Sequence, residues 1–187
     1  MSNLNERLDQ LRLKVQEPTF LEGKGLSNEV NIRIFRYDAE EEMAVRHFIS
    51  QIITDQTMVC HLIECNLYQI FLEICEDLDI MDSIIEMEAE DGSAFVLEQL
   101  HAAAGEDEFI AKMKEKVGET VRGRDAIILT GVGDVFPFMR VHKMLEAMQP
   151  YFAIPILVMY PGTFDGSALK LFDRLTPNSY YRAFNEL

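Results

Sequence analysis

The sequence predicts an α/β fold: a mostly parallel sheet of four strands or slightly more, helices on both faces, and a long helical insertion between strands 2 and 3. Three observations carry this reading. Strand-like and helical segments alternate, which is how parallel strands are connected. Ala126-Ile-Ile-Leu129 is apolar at every position, as in a strand buried on both faces. From Asn66 to about Lys116 the apolar residues recur only at helical spacing.

The elements follow in order. Leu4, Leu8, Leu11 and Val15 share one face of an opening helix that stops before Pro18, and the two-glycine stretch Phe20 to Asn28 reads as a loop. Val30, Ile32 and Ile34 alternate with Asn31 and Arg33, a strand that runs on to Tyr37. Asp38 and Glu41 have the spacing of a capping box before a helix whose apolar face is Val45, Phe48, Ile49, Ile52 and Ile53. A second strand spans Met58 to Cys65, and Asn66 caps the next helix, with Leu67, Ile70, Phe71, Ile74 and Leu78 facing inward. Met81, Ile84 and Ile85, then Phe95 and Leu100, then Phe109, Ile110 and Met113 continue the helical pattern without a repeat unit. After the third strand, a helix with Asp134 as N-cap is expected to bury Val135, Phe138, Met139, His142, Leu145 and Met148. Pro155 opens a fourth strand, Ile154 to Tyr160; Pro161-Gly162 and Asp165-Gly166 read as turns, and Ser167 to Leu175 as a short helix.

Composition narrows the function. With 187 residues, 48% apolar and 26% charged, the chain is expected to fold as one globular domain, residues 1–187. Three cysteines make no disulfide framework, Met1 to Lys14 has no signal-peptide pattern, and no apolar run approaches the ~20 residues of a membrane helix. A cytoplasmic protein without a membrane anchor is the expectation. The net charge of −15 is concentrated: residues 61–120 hold 3 basic and 16 acidic residues, a balance of −13. Such a field repels phosphates and argues against strong direct nucleic-acid binding. It suits a solvated helical surface, or an acidic mimic docking a DNA-binding partner.

No catalytic constellation emerges. Gly131-Val-Gly133 follows a strand and leads toward a helix, where doubly wound folds bind phosphate, but the remaining glycine of a dinucleotide fingerprint and the Lys of a P-loop are absent. Gly131, Gly133, Asp134 and Asp165 are the candidates for a ligand loop, Asp134 and Asp165 also for a carboxylate pair; each has a duller use as turn or cap. Cys60 and Cys65 are an odd number of residues apart on a strand and point to opposite faces, so they cannot share a metal without a bulge and read as core cysteines. His142 lies on an apolar helix face with no nucleophile beside it. No cofactor, metal or catalytic residue is expected. Arg174, Tyr180, Tyr181, Arg182 and Phe184 crowd interface-type residues near the end of the chain and are the candidates for binding a partner.

Several motifs in order resemble the BrxB family of bacteriophage-exclusion (BREX) systems. They are Leu129-Thr-Gly-Val-Gly with Val-Phe-Pro-Phe and Arg140-x-His142, Met159-Tyr-Pro-Gly-x-Phe-Asp-Gly-x-x-Leu-x-Leu-Phe172, and Tyr180-Tyr-Arg-Ala-Phe184. Phe20-Leu-x-x-Lys-Gly-Leu-x-Asn-Glu29 and Ile34-Phe-x-Tyr-Asp38 extend the match to most of the chain. The resemblance implies an accessory subunit encoded beside a large ATPase, an adenine-specific DNA methyltransferase and PglZ, a phosphatase-like protein of the alkaline-phosphatase superfamily. PglZ is the partner it implies first, and it carries no catalytic residue over. The expected function is therefore non-enzymatic assembly in support of methylation and phage exclusion. The rivals are a ligand-binding or degenerate NTPase-like domain using the Gly131–Gly133 loop, and the acidic mimic.

Overall fold

In the computed structural model, which describes residues 3–22, 32–164, 169–175 and 185–186, a parallel sheet separates two helical layers. Its strands are β1 (Ile32–Tyr37), β2 (His61–Asn66), β3 (Asp125–Thr130), β4 (Ile156–Phe164), β5 (Leu169–Leu171) and β6 (Asn185–Glu186). Their order is β2-β3-β4-β1-β6, parallel throughout, and β5 runs antiparallel to the end of β4. The register places Ile34 beside Val158, Ile128 beside Leu157 and Ile63 beside Ile127.

This order dictates which helices cover which face. The chain crosses the sheet one way from β1 to β2, then returns through β3 to β4. Parallel crossovers are right-handed, so connections running in opposite directions fall on opposite faces. Accordingly α1 (Leu4–Lys14), α2 (Pro18–Leu21) and α3 (Glu42–Ile52) pack on Phe35, Leu62, Ala126, Ile128, Leu157 and Met159. The insertion, α4 (Leu67–Asp77), α5 (Met81–Asp91), α6 (Ser93–Ala103) and α7 (Glu106–Val117), shares the other face with α8 (Val141–Met148). There Cys65, Ile127, Leu129, Ile156 and Val158 meet Phe109, Met113, Leu145 and Met148. Ala126 through Leu129 are fully buried, as the unbroken apolar run requires.

Local signals explain the boundaries. The Asn66 side chain accepts from the N–H groups of Tyr68 and Gln69, both at 3.1 Å, and starts α4. The Glu41 carboxylate accepts from the Asp38 N–H at 3.1 Å and fixes the entry to α3. Within the insertion α5 buries none of its residues, and Ile85 is 72% exposed.

Four expectations need correction. Phe20 and Leu21 are buried in α2, where Pro18 takes the first helical position, instead of beginning a loop. The helix after β3 starts at Val141 with Arg140 as N-cap, so Asp134 caps nothing; residues 132–138 form turns because Pro137 supplies no N–H and disfavours helix at Phe136. Pro161 and Gly162 continue β4 instead of turning out of it. The segment expected as a helix from Ser167 forms β5 at Leu169–Leu171, and Phe172 and Asp173 then take φ of 54° and 60°, which a right-handed helix cannot accommodate. Gly162 makes that hairpin possible, since a Cβ there would lie 2.0 Å from the Lys170 carbonyl oxygen.

At the opposite end of the sheet, Asp125 opens β3 with 1% exposure. It accepts from the Val121 N–H at 2.6 Å and from Arg124 Nε at 2.7 Å, and His61 Nδ1 lies 3.4 Å away. Burial raises its carboxyl, but the Arg124 guanidinium, the Val121 N–H and His61 together outweigh burial and hold it below the usual carboxylate range. Its contribution to stability is therefore present above the unfolded-state value of ~3.9 and is lost as pH falls through the lower folded value. Urea midpoints at neutral pH and below pH ~4 should show that acid loss, and an Asp125→Asn chain should lose less over the same interval. Equal acid losses in both chains would remove Asp125 as a source.

Candidate functional site

The carboxyl ends of parallel strands are where α/β folds place their sites. Among the described residues a cavity lies there on each side of the sheet. On the α3 side, β2 and β3 end in Glu64, Asn66, Thr130 and Gly131, and α3 brings Glu42 and Arg46 across; together they line a cavity of about 210 Å³. Its polar groups are engaged with one another. Thr130 donates to Glu64 Oε1 at 2.5 Å. Arg46 donates to Glu42 Oε1 at 2.7 Å and pairs with Asp134. The Tyr37 hydroxyl donates to Glu42 Oε2 at 2.6 Å, and its burial, then that bond, push its pKa well above the usual tyrosine value. A proton-bearing donor anchored by the sheet and a guanidinium anchored by Asp134 thus hold Glu42 from two sides.

The glycine loop closes around protein groups. Gly131 has φ of 67°, and a Cβ there would lie 2.4 Å from Asn66 Oδ1, the atom that caps α4. Gly133 lies against Phe172 and Pro161, with the Phe172 ring 2.9 Å from where a Cβ would stand. The loop is pinned on its other side too: Phe138 stacks on Phe71 with ring centroids 4.4 Å apart, and a ring nitrogen of His101 contacts the Pro137 carbonyl oxygen at 2.8 Å.

On the α8 side lies a pocket of about 160 Å³ walled by Val132, Met139, Val141 and Leu171, with Arg140, His142 and Arg174 among its other lining residues. Burial lowers the His142 pKa, and Arg140 and Lys143 add to that while Glu146 and Glu106 oppose it. Such an imidazole holds a proton less readily than one in water.

Of the expected site residues, Gly131, Gly133 and Asp134 sit together at the sheet edge, and Arg174 is exposed at the second pocket. Asp165, Tyr180, Tyr181, Arg182 and Phe184 lie outside the described residues. Cys60 and Cys65 do take opposite faces; burial pushes their thiols up to about 11 and about 12, so both stay protonated. Among the described residues no cluster of His, Cys, Asp or Glu could hold a metal ion, and no helix is long and apolar enough to cross a membrane. Sequence reasoning missed Glu42, Arg46 and Glu64. Arg46 meets Asp134 across 88 positions, and no local spacing announces a contact of that range. The field over the insertion was legible, since no Lys or Arg occurs between Arg46 and Lys112.

Comparison with known proteins agrees with the motifs. The family model described as BREX protein BrxB matches residues 63–186. A "BREX protein BrxB" from Bacillus cereus (strain H3081.97) is 35% identical over 189 residues, covering 98% of this chain and 97% of the relative. Another from Escherichia coli O9:H4 (strain HS) is 28% identical over 186 residues, covering 97% of this chain and 90% of the relative. No solved structure matches the chain.

Proposed function

The chain belongs to the BrxB family of BREX phage-defence systems, and from that premise we propose that it acts there as a non-enzymatic accessory subunit. It binds the PglZ-like protein and supports methylation and phage exclusion by bringing that protein to the ATPase and the methyltransferase. One observation carries the non-enzymatic part. At the sheet edge, where an α/β enzyme aims free acids and bases at a substrate, Glu42, Arg46, Glu64 and Asp134 are spent on holding one another and Tyr37 and Thr130. Groups bonded to one another in this way stiffen the sheet edge, which supports a positioning role.

Co-expression with the PglZ-like protein of the same system, followed by size-exclusion chromatography in moderate salt, tests the assembly. Co-elution at fixed stoichiometry is the expected result; separate elution of two folded proteins overturns it. The segment that supplies the contact is expected to be the aromatic and arginine-rich tail, on residue type alone. A Tyr181→Ala, Arg182→Ala chain should bind the partner more weakly by about 2–4 kcal/mol, on the scale of interface hot spots. Titration calorimetry measures this, and unchanged affinity in a folded variant removes the tail from the interface.

A further inference from the structure

We propose that the pocket between α8 and the β4–β5 hairpin binds a small amphipathic anion, an apolar body carrying one carboxylate, sulfonate or phosphate group. Its wall is apolar, because Val132, Met139, Val141 and Leu171 are all buried. The cations beside that wall are Arg140 and Arg174, both exposed. Neither guanidinium forms an ion pair or side-chain hydrogen bond among the described residues, although acidic side chains outnumber basic ones by 32 to 17 in this chain. Of the other exposed arginines among the described residues, Arg12, Arg46 and Arg124 are paired with Asp55, with Glu42 and Asp134, and with Asp125, and Arg122 donates to the Glu22 carbonyl oxygen. Two guanidiniums that line an apolar pocket and have no partner among the described residues suit a ligand whose body fills the cavity and whose anionic end accepts their N–H groups.

The pocket also lies where the fold directs ligands. It is at the carboxyl edge of the sheet, on the opposite side from the self-paired cluster around Glu42. Its parts come from three separate stretches: the turns after β3, the start of α8, and the β5 hairpin with the turn that follows. A ligand there would tie the hairpin to α8. The inference stands independently of the assembly proposed above.

Anilinonaphthalene sulfonate, an aromatic body with one anionic group, is the probe, and uncharged phenylnaphthylamine is its control. The fluorescence titration of the full chain is expected to show one saturable sulfonate site and weaker binding of the uncharged parent. An Arg140→Gln, Arg174→Gln chain, altered only at exposed positions, should bind the sulfonate roughly tenfold to hundredfold more weakly while binding the uncharged parent as before. An Ile85→Glu chain, which removes the more exposed of the two large apolar residues that α5 presents to solvent, should leave both unchanged. Equal affinity for the two probes, insensitivity to the arginine changes, or loss of the signal with Ile85→Glu would each overturn the proposal.

Discussion

A Phe109→Ala chain should lose about 3–5 kcal/mol of folding stability, a large part of what a domain of this kind possesses. Phe109 is fully buried, and α7, which carries it, packs against α4, α8 and β2 at once. Truncation removes the ring from a place where several elements meet and none can move in without leaving another. The cost is then the lost transfer energy together with that of an uncollapsed cavity. Urea unfolding should show a lower midpoint at unchanged slope. A loss below about 1 kcal/mol would mean that α7 lies on the core without being part of it.

Replacing Gly131 with Ala should cost about 2–4 kcal/mol, although only one methyl group is added. Two penalties combine. An L side chain at φ of 67° is strained, and its Cβ would stand 2.4 Å from the Asn66 oxygen. Relieving that clash pulls Asn66 off the Tyr68 and Gln69 N–H groups, so the cap of α4 is lost as well. Gly118 separates the two effects: its φ is 59°, but a Cβ there meets nothing within 4 Å. Gly118→Ala should therefore show backbone strain without a clash, about 1–3 kcal/mol. Equal losses at the two positions would mean that Asn66 yields without cost.

What the sequence revealed depended on how local each cause is. The strand 126–129 could be read because four consecutive apolar residues have few other uses, and Asn66 because an N-cap acts within three positions. Arg46 with Asp134, and Glu64 with Thr130, could not, since each pair meets only once the sheet order is known. The turns at residues 132–138 were hidden by apolar spacing that imitates a helix, although Pro137 was visible throughout as the reason to start that helix later. Leu169, Phe172 and Leu175 imitate a helical face in the same way. There the backbone is decided by β5 pairing with the end of β4, which no short window contains.

The order in which the strands are made differs from the order in which they stand. β1 and β2 leave the ribosome first, yet they are separated in the finished sheet by β3 and β4. Until Ile156–Phe164 has been synthesised, β1 lacks the strand beside it, and β2 waits for β3 through the whole of the four-helix insertion. The nascent chain therefore carries two partly apolar strands without their neighbours until β3 and then β4 emerge, the condition under which chains attract chaperones or aggregate. The acidic helices emerge during that interval, and their like charges keep neighbouring nascent chains apart while the sheet is still open.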